Sequence, residues 1–498
     1  MRRLSAVIAL VLVLPACAAR SSTPTLREAI ENLDAREQLR RELRSLFDAP
    51  AVSHAQWGVN FYSLRHAETL YSLNAARFMV PASNQKLLTA AAAAERLGWD
   101  FRFTTRVLAT GPVGEDGTVS GDLIIVGSGD PTINPRHPER WRAFDDWAAD
   151  LKARGVKVIN GSLIGDDNAF AEPAWGIGWA WDNLQYGYGA APSALQYNEN
   201  QVEVIVGPGW GAGTRAIIST APFGSGLVVD NGVTTVASEG ETLIDIARIP
   251  GTTRLTVRGQ IAEGAKPITL TASVENPTRF YLTSVREALA RYGISVAGGI
   301  ADVDDLTAPP VLDAASELFV DRSPPLDEII DVMMKWSRNI YAETLLLATD
   351  DSGEPATGAG GLRRLRETLR SWGIAPEYYL PRDGSGLSRY DYLTADTLTW
   401  LLTYVWRDPQ HADAFQSTLP VAGVSGTLAN RMKGTPSEGR VWAKTGTLSN
   451  VRALSGYVTT LDGETVVFSM MANNFRVPAA DIDAIMDRAL AQMVLFRR

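Results

Sequence analysis

Hydrophobic and polar residues follow a helical period at the start of the chain and then a strand period. Leu26 to Phe47 carries apolar residues at helical spacing among many charges, which predicts an amphipathic helix with one buried face. Trp57 to Ser63 and Thr69 to Leu73 predict the two strands of a hairpin. The run from Leu87 to Leu97 is almost entirely alanine and leucine, so we expect it to form a buried helix.

Between about Asp100 and Leu318 the pattern changes to short strands separated by single helices. Residues 200–262 are rich in Val, Thr, Ile and Gly and have almost no helical periodicity, with turns at Pro-Gly and Asn-Gly pairs. The middle of the chain is therefore predicted to be an α/β insertion that itself contains a small β insertion. Its other strands are predicted at 103–108, 121–126, within 156–166, at 268–274 and at 295–303, and its helices at 138–154 and 279–292.

Helical patterns resume after Pro324, and three apolar strands precede a final amphipathic helix. The predicted helical stretches are 327–349, 360–372, 394–407 and 481–496, and the strands are 440–446, 453–459 and 464–472. Antiparallel strands flanked by the first and last helices would build one domain from both ends of the chain. The predicted domains are 24–99 with 319–498, an α/β insertion at 100–199 with 263–318, and a β-rich insertion at 200–262.

Composition excludes several classes of protein. At 498 residues the chain is too long for one compact core, which predicts an α/β multidomain protein. The net charge of −9, with no Lys/Arg-rich block, argues against nucleic acid as the main partner. The four histidines are scattered and no cysteine cluster exists, so neither a metal site nor any other cofactor is predicted.

The first residues predict export. A basic start at Met1-Arg2-Arg3, an apolar run from Ala6 to Leu14 and a cleavage region at Leu14-Pro15-Ala16-Cys17 form a secretory signal over 1–19, too short to span a membrane. The same region resembles a lipoprotein signal, in which Cys17 would carry a lipid anchor; Pro15 is unusual in such a signal, so ordinary cleavage near Ala18 or Ala19 is an equal alternative. Under either alternative the body is predicted to lie outside the cytoplasm, and with one cysteine it forms no internal disulfide.

Ser83 and Lys86 stand three residues apart at the start of the predicted alanine-rich helix. This spacing places both side chains on one helix face, where a dry lysine can take the proton of a serine nucleophile. The alternative is an N-capping serine followed by a solvated lysine. An S-x-x-K match arises by chance about once or twice in a chain of this length, so the pair needs partners elsewhere.

The first partner is Ser337-Arg338-Asn339, at the end of the helical run from Ile329 to Trp336. A second hydroxyl such as Ser337 can relay a proton from Lys86 to a leaving amine, and an Asn339 amide can orient Lys86 and a substrate carbonyl. Taken alone, Ser337 is better explained as a helix cap.

The second partner is Lys444-Thr445-Gly446-Thr447, on a predicted strand. A cation and two hydroxyls can bind a substrate carboxylate, and Gly446 lets a substrate backbone lie close along the strand. The backbone N–H groups of Ser83 and Thr447 can together form an oxyanion hole. K-T-G arises by chance on the order of once in ten such chains, so the three clusters in this order favour catalysis.

The three clusters resemble the motif set of the low-molecular-mass class C penicillin-binding proteins. The intervals of 254 (337 − 83) and 107 (444 − 337) residues between them suit that family, which carries domains inserted after the serine. Three further stretches are similar to it: Gly121 to Thr132, Asp383 to Arg389, and Leu419 to Gly423 with Gly426 to Leu428. The resemblance covers essentially the whole chain after the signal segment and implies a transpeptidase-like domain interrupted by the insertions.

The resemblance implies a D-alanyl-D-alanine carboxypeptidase acting on peptidoglycan stem peptides. Ser83 would be acylated by the penultimate D-Ala, with Lys86 as base, and β-lactams would acylate the same serine. Cleavage of D-Ala–diaminopimelate crosslinks is a second activity that it implies. Asp383 and Ser385 would border the site and contact substrate, with a simple turn as their alternative. As a base, Lys86 must be neutral when Ser83 attacks. We therefore expect it to be buried, since burial and the nearby charge of Lys444 both lower the pKa of its amine.

Two other functions share parts of this pattern. A serine β-lactamase or esterase would use S-x-x-K and K-T-G, but such chains lack the long insertion, and they would turn over many equivalents of penicillin. A non-catalytic envelope-binding lipoprotein would have no reason to keep Ser83, Lys86, Ser337, Asn339 and Lys444 together.

Overall fold

The computed structural model describes residues 26–353 and 355–498, with side chains described from Asp34 onward. The predicted signal segment and Cys17 lie outside these residues. Among the helices of the described chain, none is both long and apolar enough to cross a bilayer. These helices are α1 Leu26–Phe47, α2 Gln85–Leu97, α3 Ala143–Ala153, α4 Pro277–Arg291, α5 Leu326–Lys335, α6 Asn339–Ala348, α7 Gly358–Ser371, α8 Ala395–Arg407, α9 Ala412–Thr418 and α10 Ala479–Leu495.

The strands fall into one large sheet built from both ends of the chain and several sheets in the middle. In chain order they are β1 Gln56–Ser63, β2 Glu68–Leu73, β3 Thr104–Ala109, β4 Thr118–Val119, β5 Leu123–Val126, β6 Val158–Ile159, β7 Leu163–Asp166, β8 Gln201–Gly207, β9 Ile217–Ala221, β10 Val228–Val236, β11 Leu243–Arg248, β12 Arg254–Ala262, β13 Ile268–Ser273, β14 Ser295–Val296, β15 Ile300–Asp302, β16 Ser316–Arg322, β17 Tyr379–Leu380, β18 Tyr392–Leu393, β19 Val441–Leu448, β20 Val451–Thr459 and β21 Thr465–Asn473.

The large sheet has the order β19-β20-β21-β1-β2, and every neighbouring pair in it is antiparallel. The central strand β21 is buried at all but its first position, which explains why its sequence is a solid apolar run rather than an alternating one. Helices α1 and α10 pack on one face, and α2 packs with α5–α9 against the other. This arrangement confirms the predicted antiparallel sheet flanked by helices from both ends of the chain.

The middle of the chain forms a mixed sheet, a short parallel sheet of order β14-β6-β4, and two small β-sheets. The mixed sheet has the order β15-β7-β5-β3-β16, in which β15, β7 and β5 pair in parallel and β3 pairs antiparallel with both β5 and β16. The small sheets have the orders β13-β8-β9 and β10-β12-β11. An α/β insertion that contains a β-rich part is therefore confirmed.

Strand pairing favours domain boundaries different from those expected from the sequence. β16 crosses the expected boundary at 318/319 and pairs with β3 as far as Arg322. β13 lies beyond residue 262, yet it pairs along its length with β8. Because a strand belongs with the sheet that satisfies its backbone, we propose that the insertion ends after Arg322 and that its β-rich part runs from Gln201 to Ser273.

The helical pattern predicted over 327–349 is divided into α5 and α6. Ser337 lies between them with φ of 57°, in the left-handed region that no helix can pass through. The break turns the chain so that Ser337 and Asn339 both face the cleft between α2 and β19, which is where the candidate site lies.

Candidate active site

Ser83 lies on a short 3₁₀ turn, Ala82–Asn84, that leads directly into α2. Lys86 is on the first turn of that helix, and its Nζ is 3.0 Å from Ser83 Oγ, as the three-residue spacing predicts. The Asn84 side chain donates a hydrogen bond of 2.9 Å to the carbonyl of Lys444, which ties the turn to β19. Two of the three sequence clusters therefore meet through this turn.

The surroundings of Lys86 suit a neutral amine. Its side chain is fully buried, and this burial lowers its pKa to about 7, against the opposing effect of the carboxylates of Asp383 and Glu343. Nζ also lies 2.7 Å from Asn339 Oδ1 and 2.8 Å from the carbonyl oxygen of Ser385. Those two oxygens can only accept, so they take both N–H groups of the neutral amine and leave its lone pair for the Ser83 hydroxyl.

Ser337 is paired with Lys444 rather than with Lys86. Lys444 Nζ donates to Ser337 Oγ at 2.7 Å and to the carbonyl of Thr445 at 2.8 Å. The Lys444 side chain is fully buried, and burial together with the charge of Lys86 lowers its pKa well below the ordinary value. Thr445 Oγ1 lies 2.8 Å from Thr427 Oγ1, which belongs to the family-like stretch Gly426 to Leu428.

β19 is the edge strand of the large sheet, and the Ser83 turn packs against both β19 and β20. The N–H of Ala443 points away from β20, because it donates to the carbonyl of Pro420. Backbone groups alternate with period two along a strand, so the N–H groups of Thr445 and Thr447 point to the same side. The N–H of Thr447, predicted to serve the oxyanion hole, is thus directed away from β20 and lies on the free edge of β19.

Asp383 and Ser385, predicted to bind substrate, are both buried behind Lys86. The Asp383 carboxylate accepts from the backbone N–H of Gly386 at 2.6 Å and of Ser388 at 2.7 Å, and Ser385 Oγ accepts only a long 3.4 Å bond from Leu387. In this structure they shape the loop whose carbonyl holds Lys86. Direct contact of their side chains with substrate stays a prediction.

Glu343 is the buried residue that sequence reasoning missed. On α6, one turn after Asn339, its carboxylate accepts from the N–H of Gly384 at 3.0 Å and of Ser385 at 2.7 Å. Burial and the nearby Asp383 raise its pKa to about 8. A single acid in the otherwise uncharged segment Asn339–Ala348 was the available signal, because a buried carboxyl requires dedicated partners.

Gly446 and Gly386 allow close backbone approach at the Ser83 turn. A Cβ on Gly446 would lie 2.7 Å from the carbonyl oxygen of Pro81, so a glycine is needed here for the Ser83 turn to pack against β19. The sequence had instead suggested that Gly446 makes room for the substrate backbone. A Cβ on Gly386, which has φ of +80°, would lie 1.8 Å from the carbonyl oxygen of Ala82.

Gly386→Ala is expected to lower the free energy of unfolding by about 2–4 kcal/mol, since it adds a backbone clash to an unfavourable conformation. Gly373→Ala is the matched control: its φ is +76° and no atom lies within 4 Å of the added Cβ, so only about 1 kcal/mol is lost. Urea denaturation measures both, and equal losses would contradict the close packing.

The insertion contributes three contacts to the site from positions far away in sequence. Trp179 Nε1 donates to Asp383 at 2.8 Å, and Asn339 Nδ2 donates to the carbonyl of Tyr188 at 2.8 Å. Arg338, the middle residue of the second cluster, forms an ion pair with Glu199. The loop that contains Trp179 and Tyr188 therefore forms one wall of the cleft.

Comparison with known proteins agrees with this geometry. The D-Ala-D-Ala carboxypeptidase 3 (S13) family matches residues 39–493. A D-alanyl-D-alanine carboxypeptidase from an Actinomadura species is 36% identical over 458 residues, covering 89% of this chain and 82% of that protein. The D-alanyl-D-alanine carboxypeptidase DacB of Haemophilus influenzae is 28% identical over 451 residues, covering 88% of each.

A solved structure shares the whole architecture. The crystal structure of penicillin-binding protein 4 (dacB) from Haemophilus influenzae superposes with a TM-score of 0.80 at 26% identity, covering 91% of this chain and 99% of that one. A second structure of that protein, complexed with a β-lactam, gives a TM-score of 0.74 at 25% identity and covers 92% and 100%. The chain therefore belongs to the D-Ala-D-Ala carboxypeptidase 3 (S13) family, among the low-molecular-mass class C penicillin-binding proteins.

Proposed function

We propose that this chain is a serine DD-peptidase that cleaves the D-Ala-D-Ala bond of peptidoglycan stem peptides through an acyl-enzyme on Ser83. The observation that carries the proposal is the set of contacts around Lys86. Two acceptor oxygens occupy its N–H groups. Because its pKa is about 7, the amine can be neutral, and its lone pair is then available for the serine proton. Family membership supports the same reaction.

In the acylation step, Ser83 Oγ attacks the carbonyl carbon of the penultimate D-Ala and its proton passes to Lys86 Nζ. The carbonyl electron pair moves onto oxygen, where the backbone N–H groups of Ser83 and Thr447 stabilise the negative charge. Asn339 keeps Lys86 oriented by its 2.7 Å contact. The tetrahedral intermediate then collapses with cleavage of the C–N bond.

The leaving D-Ala is proposed to receive its proton from Ser337, which lies 2.7 Å from Lys444 Nζ. This differs from the relay expected from the sequence, in which Lys86 supplied Ser337, because Lys86 contacts Ser83, Asn339 and the Ser385 carbonyl instead. Water then attacks the acyl carbonyl. The proton released by this water replaces the one that Lys444 gave up through Ser337. Ser83 Oγ leaves the acyl carbon and regains its proton from Lys86.

The terminal carboxylate of the substrate is proposed to bind Lys444, Thr445 and Thr447. Burial lowers the pKa of Lys444 in the free site, and an arriving carboxylate favours its charged form. Thr427, whose hydroxyl meets that of Thr445, adds a further donor. A β-lactam presents a carboxylate and a reactive carbonyl in the same relation, so it is proposed to acylate Ser83 and remain bound.

Export is proposed together with this activity, because peptidoglycan lies outside the cytoplasmic membrane. The alternatives of a lipid anchor at Cys17 and of simple cleavage near Ala18 or Ala19 fall outside the described residues. The intact mass of the mature N-terminus distinguishes them.

Defined muropeptides test the function. We expect release of one D-Ala from an uncrosslinked pentapeptide and cleavage of a D-Ala–diaminopimelate dimer. Liquid chromatography with mass spectrometry detects both products. Benzylpenicillin is expected to leave one long-lived adduct on the Ser83 peptide. Hydrolysis of many penicillin equivalents with both muropeptides intact would favour the β-lactamase alternative instead.

A further inference from the structure

Beside the catalytic cleft, a groove of about 710 Å³ lies between the β-rich part of the insertion and the end of β19. Ser449, directly after that strand, lines one end of it, and Trp181, Tyr186 and Tyr188 line the wall. The groove adjoins the active site, because the carbonyl of Tyr188, which lines it, accepts a hydrogen bond from Asn339. No side chain of the groove has a role in the reaction described above.

The direction of a bound stem peptide leads into this groove. On β19 the proposed carboxylate clamp centres on Thr445 and the oxyanion donor is Thr447, so the substrate runs along the strand from its C-terminus at Thr445 toward Ser449. Residues upstream of the scissile bond must therefore leave the cleft at Ser449. In peptidoglycan the stem is attached to an amino sugar, and four extended residues span roughly 14 Å.

The groove presents aromatic side chains with a large solvent-exposed surface. Trp181 is 70% exposed and Tyr188 is 44% exposed, and Tyr186 stacks on Tyr188 with ring centroids 5.3 Å apart. A flat aromatic face packs against the C–H face of a pyranose ring, and neighbouring polar groups bond its hydroxyls. Asp245, which accepts from the Tyr186 hydroxyl at 3.0 Å, is such a group.

The charges in the groove favour a neutral ligand over the acidic stem peptide. Each arginine that lines it has a carboxylate partner: Arg258 with Asp245 at 2.8 Å, Arg254 with Asp230 at 3.0 Å and Arg248 with Glu275 at 3.6 Å. Their positive charge is therefore largely neutralised. A polyhydroxylated sugar can share these planar polar groups without displacing an ion pair.

We propose that this groove binds the β-1,4-linked amino-sugar strand to which the stem peptide is attached. The inference rests on the proposed function for the direction of the peptide. It gives the insertion a role in substrate recognition, in which the insertion holds the glycan while the stem reaches Ser83. Trp181 is the central residue, since it combines the largest aromatic surface with high exposure.

The test compares one pentapeptide stem in two forms, attached to its GlcNAc–MurNAc disaccharide and free. We expect kcat/KM for D-Ala release to be roughly tenfold higher for the disaccharide form, and Trp181→Ala to reduce this ratio to within about twofold of one. Trp210→Ala is the matched control: it removes a 95% exposed tryptophan of the same insertion outside the groove, and the ratio should persist.

The outcomes separate this proposal from the proposed function. A wild-type ratio near one would overturn glycan recognition while leaving the peptidase intact. An equal loss on both substrates in Trp181→Ala would place peptide in the groove and also overturn it. If neither substrate is cleaved, calorimetry with the GlcNAc–MurNAc disaccharide alone decides: saturable binding lost in Trp181→Ala and kept in Trp210→Ala supports the groove, and absence of binding overturns it.

Discussion

Ser83→Ala is expected to eliminate the covalent β-lactam adduct and to lower D-Ala release by roughly 10⁴-fold or more. Without Oγ no ester can form, and what remains is binding and oxyanion stabilisation alone. Intact-protein mass spectrometry after incubation with benzylpenicillin measures the adduct. Single-turnover assays with a pentapeptide substrate measure the loss of peptidase activity.

The matched control is Ser72→Ala. Ser72 begins the other S-x-N match in the chain, Ser72-Leu73-Asn74, but it is exposed on β2, away from the cleft. It should keep both the adduct and the peptidase activity. An adduct that persisted in Ser83→Ala with unchanged mass gain would show that another residue is the nucleophile.

Folding of the variant can be checked independently. Ser83 Oγ contacts Lys86, and removing it leaves the two acceptor contacts of that lysine in place. We therefore expect the melting temperature of Ser83→Ala to stay close to that of the unaltered chain.

The parts of the site that local sequence could predict are those fixed by short spacing. The Ser83–Lys86 contact follows from three-residue helical geometry, and the shared orientation of Thr445 and Thr447 follows from strand alternation. The terminal sheet was also predictable, since its strands are bounded by clear turns and its central strand is an unbroken apolar run.

The remaining features depend on contacts between distant segments that leave no local signal. Trp179 meets Asp383 across 204 positions, and its loop has neither helical nor strand periodicity. The pairing of Ser337 with Lys444 similarly depends on how α5 and β19 pack. The boundary that we propose after Arg322 has the same origin, because β16 pairs with β3, which lies over two hundred residues earlier.

Lys86→Met is expected to lower the rate of β-lactam acylation by roughly 10²- to 10⁴-fold, because it removes the base and keeps the buried volume. Stopped-flow measurement of the second-order acylation constant tests this. The control is Lys335→Met at the end of α5, whose ammonium pairs with Asp331 at 2.5 Å on the helix surface; it should acylate at the normal rate. Comparable loss in both variants would contradict a specific role for Lys86.

The pH dependence of acylation in the unaltered chain gives the sharper test of the same proposal. Burial lowers the pKa of Lys86 to about 7, and only the neutral amine accepts the serine proton. The rate constant should therefore rise about tenfold per pH unit below 7 and level off above about 8, because protonating the base removes activity on the acid side.

Stability should follow pH in the same direction, as a consequence of the same shift. The unfolded chain holds Lys86 at its ordinary pKa of 10.5, so between pH 7 and 10.5 the unfolded state binds more protons than the folded one. The contribution of Lys86 to the free energy of unfolding therefore increases as pH rises through that window, and Lys86→Met should reduce the slope. An acylation rate that stayed flat between pH 5 and 8, with an unchanged stability slope in Lys86→Met, would mean that Lys86 remains charged and that another group takes the proton of Ser83.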